Sequence, residues 1–152
     1  MKSRFHPIAF LNVASVAVAI GCASAPREMP SFNPQLGVNL AAMTESGGVR
    51  YVDLAEGKGP VVRRGAQVYV YYNLWLANGK SIDSVRKPTT PLKFGFGRGE
   101  VISGWERGLE GMHAGGTRQI VIPPELAYGS KRMEGIPPNS TLVFLVDVVD
   151  VR

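Results

Sequence analysis

Between Gly99 and Tyr128 the chain sets one Trp, one Tyr and several branched apolar residues among glycines and prolines. Such residues build a hydrophobic cup rather than a set of acids and bases. Hydrolysis lacks its parts: the only histidines are His6, near the N-terminus, and His113, inside a Gly-bounded turn, so a Ser, His and Asp set in the mature chain would have to use His113. A zinc site needs several Cys or His ligands, and Cys22 is the only cysteine. Gly95, Gly97 and Gly99 alternate without opening a helix in a βαβ unit, which leaves a phosphate-loop reading weak. What remains is a set of aromatics, Tyr72, Phe94, Trp105, Tyr128 and Phe144, drawn from separate segments. Composition alone lets them be simply a core or the lining of a pocket.

The elements that must position them follow from periodicity. Residues 66–76 alternate with period 2, placing Val68, Val70, Tyr72, Leu74 and Leu76 on one face of a strand. Asn78-Gly79 predicts a tight hairpin with φ > 0 at both residues, returning the chain through Ser81, Ile82 and Asp83. Strands are also expected from Val49 to the Gly57–Pro60 turn, at 91–96, at 117–122 and at 141–151. The last is apolar on both alternating faces and so belongs at the centre of a sheet. Ser103 and Glu106 stand at capping-box spacing, and Trp105, Leu109 and Met112 form an apolar stripe down a helix of two to three turns. Strands following strands with one helix inserted predict an α+β fold, an antiparallel half-barrel sheet curled around one short helix.

Three stretches carry a family likeness: Gly99-Glu100-Val101-Ile102-Ser103-Gly104-Trp105-Glu106, Ala127-Tyr128-Gly129, and the run from Pro137 to Phe144. Together they resemble the FKBP-type peptidyl-prolyl cis-trans isomerases, the macrolide-binding immunophilins, over about the last two thirds of the chain. The resemblance implies the same fold and isomerase activity on Xaa-Pro bonds without a cofactor, and a secretion signal at the N-terminus makes exported proteins the expected clients. It implies Trp105 as the pocket floor, Tyr72, Phe94 and Phe144 in its walls with Ile82, Leu92 and Ile136, and Val101 and Ile102 at its rim. The Ile102 N–H and the Tyr128 hydroxyl become donors to the substrate, and Asp83 a buried carboxylate beside the pocket. Proline-containing unfolded polypeptides are the implied partners, with macrolides as ligands. Ile82 and Leu92 depart from the Phe of well-known members. Pro88 replaces a common basic partner of Asp83, leaving Arg86 or Lys87 to substitute. The rival reading on the same scaffold is a proline-segment-binding module or holdase chaperone with little turnover.

The chain of 152 residues, 45% of them apolar, holds one core. Its net charge of +5 falls to +3 without Lys2 and Arg4, and the basic pairs are scattered, which argues against nucleic acid. Lys2 and Arg4 before the apolar run 8–20 read as a secretion signal. Cys22 after Ala19-Ile20-Gly21 resembles a lipobox, against which stands ordinary cleavage after a small-x-small pattern. The expected organisation is a lipoprotein-type signal over 1–21, a flexible tether over 22–48 reaching roughly 25–30 Å, and the isomerase domain over 49–152. The expected location is the periplasm, with a lipid anchor in a membrane.

Overall fold

A computed structural model of the protein describes residues 30–152, and the expected signal over 1–21 and Cys22 lie outside them. The chain runs through β1 (Thr44–Ser46), β2 (Val49–Ala55), β3 (Gln67–Leu76), β4 (Ser81–Val85), β5 (Leu92–Gly95), the helix α1 (Ser103–Gly108), β6 (Thr117–Ile122) and β7 (Leu142–Val151). The strands pair antiparallel in the order β1-β2-β6-β7-β3-β4, and β5 shares the outer edge of β3 with β4. This is the α+β architecture expected, an open sheet curled over one short helix.

β7 lies between β6 and β3, which explains why both of its faces are apolar. Its concave face (Leu142, Phe144, Val146, Val148) joins Val70, Leu74, Ile120 and Ile122 in the main core around α1. Helix and sheet approach closely because Gly104 and Gly108, one turn apart, face the sheet. A Cβ on Gly104 would overlap the Ile122 side chain, and one on Gly108 would come within 2.8 Å of Ile120 Cγ2.

The helix is shorter than the stripe implied. It ends at Gly108, yet Trp105, Leu109 and Met112 are all buried, because Leu109 is its C-cap and the Met112 N–H bonds the Leu109 carbonyl at 3.1 Å. Nor does the capping box form. Ile102 occupies the N-cap position, its carbonyl accepting from the Trp105 N–H at 2.9 Å, so Ser103 is already helical. Glu106 instead reaches back to accept the Gly99 N–H at 3.0 Å, fixing the loop that precedes the helix. The β3–β4 turn also differs: only Gly79 has positive φ (+89°), the Gly79 N–H bonds Leu76 O and the Leu76 N–H bonds Lys80 O. A type I turn closed by a left-handed glycine does the same job with one more residue.

The tether reading fails over its described part. Residues 30–46 form a strap across the convex face, with Phe32, Leu36, Val38, Leu40 and Met43 covering Val121 and Val143. Polar anchors hold it: Asn33 N–H to Ala77 O at 2.8 Å, Gln119 Nε2 to Leu36 O at 2.7 Å, and β1 on β2. The strap crosses the strands as irregular chain with two 3-10 turns, Pro34–Leu36 and Leu40–Ala42, so its apolar residues carry no periodic signal. A fragment beginning at Val49 should therefore melt at a lower temperature than one beginning at Pro30, because Val121 and Val143 lose their cover. Equal melting temperatures would show that the strap contributes nothing.

Candidate active site

Trp105 sits in the first turn of α1, only 4% exposed, and three strands bring aromatic rings to it. Tyr72 of β3 meets it edge-on with ring centroids 5.3 Å apart, Phe144 of β7 does so at 5.3 Å, and Phe94 of β5 lies tilted at 5.6 Å. Tyr72 and Phe144 also touch, at 6.1 Å. Edge-to-face pairs of this kind are each worth about 0.5–1.5 kcal/mol beyond their burial. The register explains the convergence: Phe144 pairs with Leu74 and Ile120, and Phe94 pairs with Val68, all on the concave face.

Around this floor Ile82, Leu92, Val101, Ile102 and Tyr128 are half-buried and pack on the same cluster, with Ile136 buried. The loop carrying Ile136 is pinched by reciprocal bonds between Met133 and Ile136, and Gly135 lies against the Ile82 side chain. Among the described residues neither the Ile102 N–H nor the Tyr128 hydroxyl has a hydrogen-bond partner, and the buried Trp105 Nε1 has none either. The cup thus combines a dry aromatic floor with two donors at its half-buried rim.

Asp83 is not buried. It stands exposed on β4, which among the described residues is an edge strand with no further strand paired to its outer side. Its Oδ2 accepts the Tyr72 hydroxyl at 2.5 Å and its Oδ1 accepts the Ser84 N–H at 2.8 Å. Arg86 does not replace the missing basic partner, because its Nε donates to Asn73 Oδ1. Burial, and then the bond to Asp83, raise the Tyr72 pKa well above its ordinary 10.0. The folded protein therefore holds this proton more tightly than the unfolded chain does. The associated stability is complete below pH 10 and is lost as pH rises through the folded value.

One positioning element escaped the sequence reading. Arg118 on β6 is 5% exposed and faces the core. Its Nε and Nη2 donate to the two carboxylate oxygens of Asp53 at 2.6 and 2.8 Å, its Nη1 donates to the Gly108 carbonyl at 2.8 Å, and its guanidinium lies 4.0 Å from the Tyr51 ring centroid. It satisfies an orphan carbonyl at the end of the helix that carries Trp105. The signal was available: Arg118 shares the parity of Ile120 and Ile122, and an arginine on a core face requires a partner.

Residues 59–149, which hold most of the sheet and all of the cup but not the strap, match the family model for the FKBP-type peptidyl-prolyl cis-trans isomerase. The chain belongs to this family. It is 48% identical over 106 residues to FK506-binding protein 3 of Yarrowia lipolytica, covering 70% of this chain and 26% of that one. It is 43% identical over 102 residues to an FK506-binding protein of Streptomyces anulatus, covering 65% and 82% respectively. Among solved structures, FkpA from Escherichia coli superposes with a TM-score of 0.67 at 41% identity, over 73% of this chain and 52% of that one. AtFKBP13 superposes at 0.65 and 36%, over 72% and 98%. The matched region spans about a quarter of the length of the fungal relatives. The solved FKBP structures share the fold, and the strap lies N-terminal to the segment that the family model matches.

Proposed function

We propose that the protein is an exported FKBP-type peptidyl-prolyl isomerase that acts on Xaa-Pro bonds of unfolded or flexible polypeptides in the periplasm, held to a membrane through Cys22. The observation that carries the activity is the cup itself, a water-poor floor of four touching aromatic rings with two unused donors at its lip. Rotation about a peptide bond meets a barrier of about 18–20 kcal/mol because twisting destroys amide resonance. No bond to hydrogen is made or broken. The twisted imide has a less polar carbonyl than either planar isomer, so removal from water penalises it least, and a dry cup that seats the prolyl ring binds it best. The Ile102 N–H and the Tyr128 hydroxyl then fix flanking carbonyls. Phe94, Leu92, Val101 and Ile136 enclose the ring, and Ile82 and Leu92 do so with less aromatic area than Phe would. We take the same cup to accept macrolides of the kind named in the relatives.

Turnover of a proline tetrapeptide in a coupled isomerisation assay tests this reading. Suppression of client aggregation without turnover would instead assign the protein to the holdase class. Tyr128→Phe should keep the fold and slow isomerisation by about 2- to 10-fold, the value of one hydrogen bond of about 0.5–1.5 kcal/mol. A loss of many orders of magnitude would point to proton transfer and against desolvation.

Anchoring is supported by the lipobox-like residues before Cys22. A lipoprotein cysteine carries the two or more acyl chains that stable attachment needs. Cys22→Ser should block processing or release the protein from membranes with domain activity intact. Mass spectrometry of the mature N-terminus decides the matter: an unacylated first residue other than Cys22 contradicts the anchor and leaves the isomerase reading standing.

A further inference from the structure

Residues 30–152 carry 14 basic and 11 acidic side chains, and five of the basic ones, Arg63, Arg64, Lys93, Arg98 and Arg152, lie around the start of β3 and the end of β5. Arg63, Arg64 and Arg152 line one groove with Val61 and Ala66. The segment before β3 is stitched to the end of β5 by Gly65 N–H to Phe96 O and Phe96 N–H to Ala66 O, which lays Arg64 against Gly97 and brings Arg98 alongside. On the convex face Tyr69 is flanked by Lys93, 5.8 Å from its centroid, and Arg152, at 5.2 Å. The acids nearby are Asp150, bonded to Arg152, Glu100, bonded to the Gly95 N–H, Glu106, bonded to the Gly99 N–H beside Arg98, and Glu110, next to Gly111, whose N–H bonds the Val62 carbonyl. Arg63, Arg64 and Arg98 are exposed and have no carboxylate partner among the described residues.

We infer that this pole, formed by Arg63, Arg64, Lys93, Arg98 and Arg152, is a docking surface for acidic segments of the polypeptide whose Xaa-Pro bond occupies the cup. The inference rests on the isomerase reading and names the class of substrate it favours. Position selects a polypeptide. Phe94, in the cup wall, is followed directly by Gly95, Phe96 and the Arg98 loop, against which Arg64 packs at Gly97, so the arginine side of the pole begins within four residues of that wall. A membrane fits less well. Pro30 and Ser31 line one surface with Leu76, Ala77 and Asn78 at the opposite end of β3, about 30 Å away along a ten-residue strand, so the first described residues lie far from the basic pole. Guanidinium forks pair well with carboxylates, and exposed charges of this kind act on capture and selection of the partner.

The test compares a bare Xaa-Pro peptide with the same peptide carrying Asp/Glu-rich or Lys-rich flanks, using the full mature chain. At low salt the acidic flanks should lower KM about 3- to 10-fold, and the gain should fade above about 0.1 M salt, where the screening length drops below 10 Å. Arg63→Gln with Arg64→Gln should shrink that gain while leaving the bare peptide's kinetics unchanged, and Arg63→Glu with Arg64→Glu should turn it toward Lys-rich flanks. Equal KM for all three peptides at low salt would overturn the inference, as would a gain untouched by both double variants. Sedimentation with phosphatidylglycerol vesicles is the competing arm: vesicle binding that the Gln double variant abolishes, without any peptide preference, would assign the pole to lipid. If the bare peptide is not turned over at all, the isomerase reading fails separately. Fluorescence anisotropy of a labelled acidic peptide then still judges the pole, with Arg63- and Arg64-dependent binding supporting it and absence of binding overturning it.

Discussion

Trp105→Ala lowers stability by about 3–5 kcal/mol and abolishes useful turnover, because one substitution removes both the centre of the core and the floor of the cup. Three rings rest on the indole, each fixed on a different strand, so its removal leaves a cavity that they fill only in part. Urea unfolding reads the first effect, as a lower midpoint at unchanged slope. Because an unfolded variant is also inactive, Trp105→Leu separates the two. It retains most of the apolar volume and should fold, yet it loses the flat ring that the proposed mechanism sets beneath the prolyl ring. A Trp105→Leu protein with wild-type stability and wild-type rate would mean that Trp105 does not line the site.

The second large effect concerns the ion pair beneath the helix, and its two halves are unequal. The Arg118 side chain is 7% exposed whereas that of Asp53 is 33% exposed. Asp53→Ala leaves a largely enclosed guanidinium without its carboxylate, at a cost of about 3–5 kcal/mol. Arg118→Met leaves a carboxylate that can rehydrate, together with an unbonded Gly108 carbonyl, at a cost of about 1–3 kcal/mol. The partner that looks more dispensable from its exposure is thus the more damaging to remove. Both variants should also lower kcat/KM, since Gly108 ends the helix that seats Trp105. Denaturant midpoints in the reverse order would refute this account of the pair.

Strong alternation made β3 legible, and two apolar faces made the central place of β7 legible, since each reflects how many neighbours bury the strand. The aromatic floor was legible too, but only through likeness to a family. Composition gives no means of telling a core from a pocket when the same rings serve both. Three features were misread for identifiable reasons. Residues 30–46 look like polar linker because a strap lying across strands needs no period, and only scattered Phe32, Leu36, Val38 and Met43 betray its docking. Asp83 was expected to be buried, yet an edge strand leaves it in water. Arg118 passed unnoticed because its parity with Ile120 and Ile122 was not weighed against its charge.

The central claim is that the cup lowers the barrier to rotation by desolvation, with no proton transferred. Exchange spectroscopy on a short Xaa-Pro peptide, with catalytic amounts of the full mature chain and a range from pH 5.5 to pH 8.5, tests it most directly. The account predicts accelerated cis-trans exchange with a flat pH profile and no solvent deuterium isotope effect. Absence of acceleration would contradict the isomerase assignment, and a bell-shaped profile or a substantial isotope effect would contradict the mechanism.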